Sequence, residues 1–143
     1  MTEVVFHFNV PDKLHYACRL LRKAYAAGDP VGVVASPEQL QTLDTTLWSF
    51  SALDFIPHCR ASAPAPLLQA SPIVLASAAA ELPQAAEVLV HLGETVPAGF
   101  ERFSRLIELV AADDADRGLA RQRWRHYADR GYAITHHDLA QRS

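Results

Sequence analysis

Apolar residues recur along this chain with two periods, one of two residues and one of three to four, and the switches between them mark strands and helices. Val4, Phe6, Phe8 and Val10 alternate along VVFHFNV, the signature of a strand with one face in a core. Pro11 and Asp12 then open KLHYACRLLRKAYAAG. Leu14, Ala17, Cys18, Leu21, Ala24 and Tyr25 keep helical spacing there until Gly28 can end the helix. VGVVAS is short, β-branched and apolar on both faces, as a central parallel strand requires. Ser36, Pro37 and Gln39 make the next helix start with a serine cap, a proline at the first helical position and a glutamine at the capping-box position. Leu40, Leu43 and Leu47 line its buried side.

PIVLAS, EVLVHLG and RLIELVA are three further apolar strand candidates. A turn and a brief helix at PAGFERF precede the last of them. RASAPAPLLQASP, rich in Ala, Ser and Pro, reads as an irregular surface connection rather than a domain linker. The closing GYAITHHDLAQRS adds an edge strand or wraps the surface; the pattern leaves both open. No internal repeat is visible. Strand–helix alternation over 143 residues, half of them hydrophobic, predicts one α/β domain spanning 1–143, its sheet mostly parallel with helices on both faces.

The densest chemistry lies in DDADRGLARQRWRHYADRG. Arg117, Arg121, Trp124 and Arg125 stand at i, i+4, i+7 and i+8, so a helix aligns all four on one stripe. Guanidinium forks match carboxylate or phosphate oxygens two at a time, and an indole supplies apolar area and a cation-stacking face. Leu119, Ala120 and Tyr127 form the opposite, core-facing arc, which forces Arg123 to snorkel or find a partner. Trp124 falls at the border between the two. A basic helical face is ordinarily just a solvated one. Here, however, Asp113, Asp114 and Asp116 gather in the first turn, where they cap N–H groups and oppose the dipole, leaving the arginines without i,i+4 carboxylate partners. That segregation tips the balance toward a ligand site.

A net charge of −3 argues against a general nucleic-acid binder, so no strong direct affinity for nucleic acid is expected. Two cysteines, Cys18 on the apolar face of a predicted helix and Cys59, give no disulfide framework and fit a reducing cytoplasm. No signal sequence and no membrane span is read, which predicts a soluble, unexported protein without membrane partners. The turn after the first strand reads NVPDK, with no GxGxxG, and no GxxxxGK[ST] occurs anywhere; no cofactor is expected. His58 with Cys59 and His136 with His137 are adjacent residues that point to opposite sides of an extended chain and match no zinc spacing, so no metal is expected either. Nothing supports catalytic residues. Trp48, Phe50, Phe55, Ile56 and Pro57 concentrate apolar mass after the second helix, and serve equally as interface anchors or as the closure of one end of the core.

The LWSF and DFIPH blocks, the EVLVHL strand and the LARQRWRHYADRGY helix together resemble the chi subunits of bacterial DNA polymerase III, nearly end to end. The resemblance implies a Rossmann-like fold without a nucleotide site, and a non-catalytic accessory role in the clamp-loader assembly. It implies two partners: the acidic, phenylalanine-ended tail of single-stranded-DNA-binding protein and a psi subunit. A repair helicase is a further candidate. The family's tail-binding motif falls on Arg117, Arg121, Trp124 and Arg125, with Val110 beside them to accept the terminal ring, and its psi-contacting surface on Trp48, Phe55, Ile56 and Pro57. Trp124 and Arg125 stand where the family has tyrosine and lysine. The rival reading is an α/β enzyme or nucleotide binder that uses the crevice at the carboxyl ends of the strands, with the arginines holding a phosphate.

Overall fold

The computed structural model describes residues 1–49 and 56–141. Among these, one sheet is built from β1 (Glu3–Val10), β2 (Val31–Val34), β3 (His58–Arg60), β4 (Ile73–Ala76), β5 (Val88–His91), β6 (Arg105–Ala111) and β7 (Ile134–Asp138). Their spatial order is β3-β4-β2-β5-β6-β1-β7, and every pairing is parallel. The helices are α1 (Lys13–Ala27), α2 (Pro37–Ser49), α3 (Ala65–Ala70) and α4 (Asp114–Asp129). The α/β, Rossmann-like expectation holds.

Parallel strands need crossovers, and the crossovers cover both faces of the sheet. On one face Val5, Val33, Leu75, Val90 and Leu109 meet Ala17, Cys18 and Leu21 of α1 and Leu40, Leu43 and Leu47 of α2. On the other, Val4, Phe6, Val74, Leu89, Leu106 and Val110 meet Ala120 and Tyr127 of α4, together with Phe100 and Phe103 from the turn before β6. The alternation along β1 is thus real, and Val5 adds a buried side chain on the second face. Caps define the helix ends. Asp12 accepts from the N–H of His15 at 3.1 Å, and Gly28 closes α1 with φ of 82°, a left-handed conformation that disfavours a side chain. Ser36 and Gln39 bond each other's N–H groups reciprocally at 3.2 and 3.0 Å, the capping box of α2.

Two segments differ from their sequence patterns. RASAPAPLLQASP is not wholly irregular, because residues 65–70 coil into α3, with Pro66 in its first turn where a missing N–H costs nothing. β3, only three residues long, begins at His58 and pairs with β4 at the edge of the sheet. GYAITHHDLAQRS supplies the opposite edge, β7, alongside β1. Near the end of β1 the ladder is irregular: Asn9 adopts φ of 58° and its Nδ2 donates to Asp138 Oδ1 at 2.7 Å, pinning the end of β7.

Candidate functional site

The acidic first turn of α4 is consumed locally. Asp113 accepts from the N–H of Asp116 at 2.9 Å, while Asp116 Oδ2 accepts from the N–H of Ala111 at 2.7 Å and pairs with Lys13 Nζ at 2.8 Å. Arg117, Arg121 and Arg125 are exposed further along, and no carboxylate among the described residues pairs with any of them. They flank a groove between α4 and β7 whose lining also includes Lys23, Trp124, Phe8, His136 and His137. One carboxylate lies in that lining, Asp138, and it is already engaged by Asn9 and by the N–H of Ala140 at 3.0 Å. Cations without counter-charges among the described residues give the groove a chemistry suited to an anion.

Trp124 is half-buried. Its ring centroid lies 5.0 Å from Phe6, 5.9 Å from Phe8 and 5.8 Å from His136, so the indole is held by stacking rather than left mobile. Val110 does not stand beside it on the surface. It is fully buried in the core and forms no part of the groove lining, since its position near the end of β6 sets it beneath α4. The apolar wall is built instead by Trp124, Phe8 and Ala120. On the other side of the sheet His7 meets the Tyr16 hydroxyl and the ring of His137. Burial, and then the proximity of His137, push the His7 pKa down to about 4, so this ring is neutral near pH 7.

Beneath the stripe lies a polar cluster. Arg123 is 1% exposed, its Nε 3.1 Å from Glu108 Oε2 and its Nη1 donating to the Glu94 carbonyl at 2.8 Å. Glu108, on β6, also accepts from His91 Nδ1 and from the Tyr127 hydroxyl, each at 2.6 Å. Burial alone would raise the Glu108 pKa, but His91, Arg123 and Tyr127 together outweigh it and hold the carboxyl below its usual range. Burial and the adjoining Glu108 push Tyr127 up. Arg123 thus finds its partner in a carboxylate that the sequence shows only as one polar residue inside RLIELVA.

The crevice at the carboxyl ends of the strands is differently equipped. Asp12, Glu94, Asp113 and Asp116 line it, and its one cation, Lys13, is taken by Asp116 and the Leu92 carbonyl at 3.3 Å. The starts of α1, α2 and α4 are capped by Asp12, Ser36 and Asp113, each taking one of the free N–H groups, and the two carboxylates oppose a phosphate there. Cys18 is buried, and burial and then Asp12 push its thiol up to about 11, which keeps it protonated near pH 7.

At the opposite edge, Trp48 is 61% exposed and packs on the buried His58 ring at 5.2 Å. His58 Nε2 lies 2.8 Å from Asp44 Oδ1 and Nδ1 2.7 Å from the Ile56 carbonyl. Ile56 is fully buried and closes that end of the core, whereas Pro57 is half-buried; Phe50 and Phe55 lie outside the described residues. The interface candidates thus divide between surface and core. Lys23, Phe8 and His136 are groove residues that the sequence did not connect with the arginine stripe, because α1, β1 and β7 meet α4 only in three dimensions. Their available signals were the β1 alternation and the unexplained histidine pair.

The family model described as DNA polymerase III chi subunit, HolC, matches residues 1–135. The protein named DNA polymerase III subunit chi from Pseudomonas aeruginosa is 36% identical over 129 residues, covering 89% of this chain and 87% of that protein. The match takes in every strand but the end of β7, and the chain belongs to the DNA polymerase III chi subunit family.

Proposed function

We propose that this protein is a non-catalytic, cytoplasmic accessory subunit of the DNA polymerase III clamp-loader assembly. Its α4–β7 groove takes the acidic C-terminal tail of single-stranded-DNA-binding protein, and its Trp48 edge takes a psi subunit. The observation that carries the first assignment is the set of cations unpaired among the described residues, Arg117, Arg121, Arg125 and Lys23, around a half-buried tryptophan. An arginine fork suits a terminal carboxylate, and the Trp124 and Phe8 rings suit a terminal phenyl group. The second assignment is supported by the exposure of Trp48, an aromatic anchor of the kind interfaces use.

The mechanism is tethering. Exposed cations are screened within about 10 Å at 0.1 M salt, so the clamp has modest, salt-sensitive affinity, and linkage to a larger assembly raises its effective concentration. Calorimetric titration with an acidic peptide ending in Asp-Ile-Pro-Phe tests the reading. Amidating its C-terminus or replacing the last Phe by Ala should each reduce binding sharply. Equal binding of all three peptides would reduce the site to a diffuse basic patch. Tighter binding of a nucleoside triphosphate than of the peptide would favour the rival nucleotide reading.

A further inference from the structure

The floor of the α4–β7 groove is a strand edge. We propose that the occupant of this groove lies along β7 as an additional strand, an extended acidic segment hydrogen-bonded backbone to backbone with Ile134 and His136. This inference rests on the tail-binding reading above and specifies how the tail is held.

The register fixes which groups are available. Val4, Phe6 and Phe8 pair with Ile134, His136 and Asp138, and the Val4 N–H donates to the Ala133 carbonyl at 3.0 Å. In a parallel ladder this turns the backbone groups of Ala133, Thr135 and His137 toward β1, and those of Ile134 and His136 outward. Among the described residues no strand pairs with that outer edge. Natural edges are usually blunted by lysine, proline or a bulge, and ITHHD contains none of these.

The edge is also recessed. Tyr16 and Lys23 of α1 wall it on one side, and Arg117, Arg121, Trp124 and Arg125 of α4 on the other. An added strand would point alternate side chains at these two walls. Acidic residues of either parity would meet a cation, and an aromatic residue on the α4 side would meet Trp124 and His136. Of β7, His136, His137 and Asp138 line the groove, and the edge continues beyond it through Ile134; from Arg117 to Ala128 the α4 wall advances about 16 Å at 1.5 Å per residue, room for about five extended residues. Charge selects the occupant. A second copy paired edge to edge would bring two sets of arginines together, whereas an acidic segment is complementary.

Two measurements test this. The first is a series of the acidic peptide ending in Asp-Ile-Pro-Phe, each member N-methylated at one backbone nitrogen other than that of the proline, which carries no N–H. Strand addition predicts a loss of about tenfold or more at alternate positions and little change between them, because only every second N–H faces β7. The second compares His136→Pro with His136→Ala. Proline removes an outward N–H without touching the β1 ladder, so it should weaken the unmodified peptide about tenfold beyond alanine, with melting temperatures confirming that both variants fold. If the unmodified peptide binds but the methylation scan is flat, the tail rests on α4 alone; strand addition is then wrong while the tail-binding reading stands. If the unmodified peptide does not bind, both fall. If the free protein sediments as a dimer that His136→Pro dissociates, the edge serves a second copy and the acidic occupant is overturned.

Discussion

Arg123 Nε stands 3.1 Å from Glu108 Oε2 with both side chains sealed from solvent, 1% and 0% exposed. The pair joins α4 to β6 at the middle of the helix whose outer face carries the arginine stripe. Around it the buried face of α4 adds Ala120 and Tyr127, with Trp124 half-buried beside them, so polar contacts and aromatic packing together set the rotation of this helix.

Removing one partner leaves an uncompensated buried charge. Arg123→Met should therefore lower unfolding free energy by about 3–5 kcal/mol in urea titration. The double variant Arg123→Met with Glu108→Gln should lose less than the sum of the two single losses, since no full charge is then stranded. Strict additivity in this cycle would mean that the two groups do not interact.

The lowered pKa of Glu108 has a consequence in acid. Its unfolded-state carboxyl titrates at its ordinary value, 4.5, and the folded one below it, so the unfolded chain binds the proton first. The stabilisation is fully present above pH 4.5 and is lost as pH falls through the folded pKa. Glu108→Gln should flatten this acid limb relative to wild type while lowering the plateau near pH 7. An unchanged acid limb, measured by urea midpoints from pH 7 to 3, would contradict the assignment.

Arg121 is exposed and unpaired among the described residues, so its loss should barely touch stability. A charge-assisted hydrogen bond to a carboxylate is worth about 1.5–3 kcal/mol, and Arg121→Ala should weaken the acidic tail peptide about tenfold to a hundredfold. Wild-type affinity in calorimetry would move the site elsewhere.

Trp48→Ala should leave tail affinity intact and abolish copurification with a psi-type subunit, because the two surfaces lie at opposite rims of the sheet. A fall in both bindings together, or a large drop in melting temperature, would assign Trp48 to closure of the core alongside Ile56.

The parts of this fold that show in sequence are those whose burial is two-sided or periodic. β2, β4, β5 and β6 are apolar runs, and Ser36 with Gln39 announces α2. β3 is invisible because HCR has no apolar period and its pairing is with residues further along the chain. β7 stayed ambiguous because ITHHD is an exposed edge with little to bury. The arginine stripe was legible because one helix contains it. Its opposite wall was not, since Lys23, Phe8 and His136 come from α1, β1 and β7. Likewise Glu108 and Arg123 are fifteen positions apart on different elements, and only the crossover from β6 to α4 brings them together.

The order of strands places β3 at one rim and β7 at the other, six inter-strand intervals apart. At about 4.8 Å per interval that is about 29 Å of hydrogen-bonded sheet, roughly three Debye lengths at 0.1 M salt. Charges exposed to solvent at the two rims are therefore screened from each other by the salt around the protein, while the sheet between them acts as a strut. Under the assignment proposed above, occupancy of either rim should leave the other's affinity unchanged. The two partners would then load in any order, joined by the stiffness of the sheet.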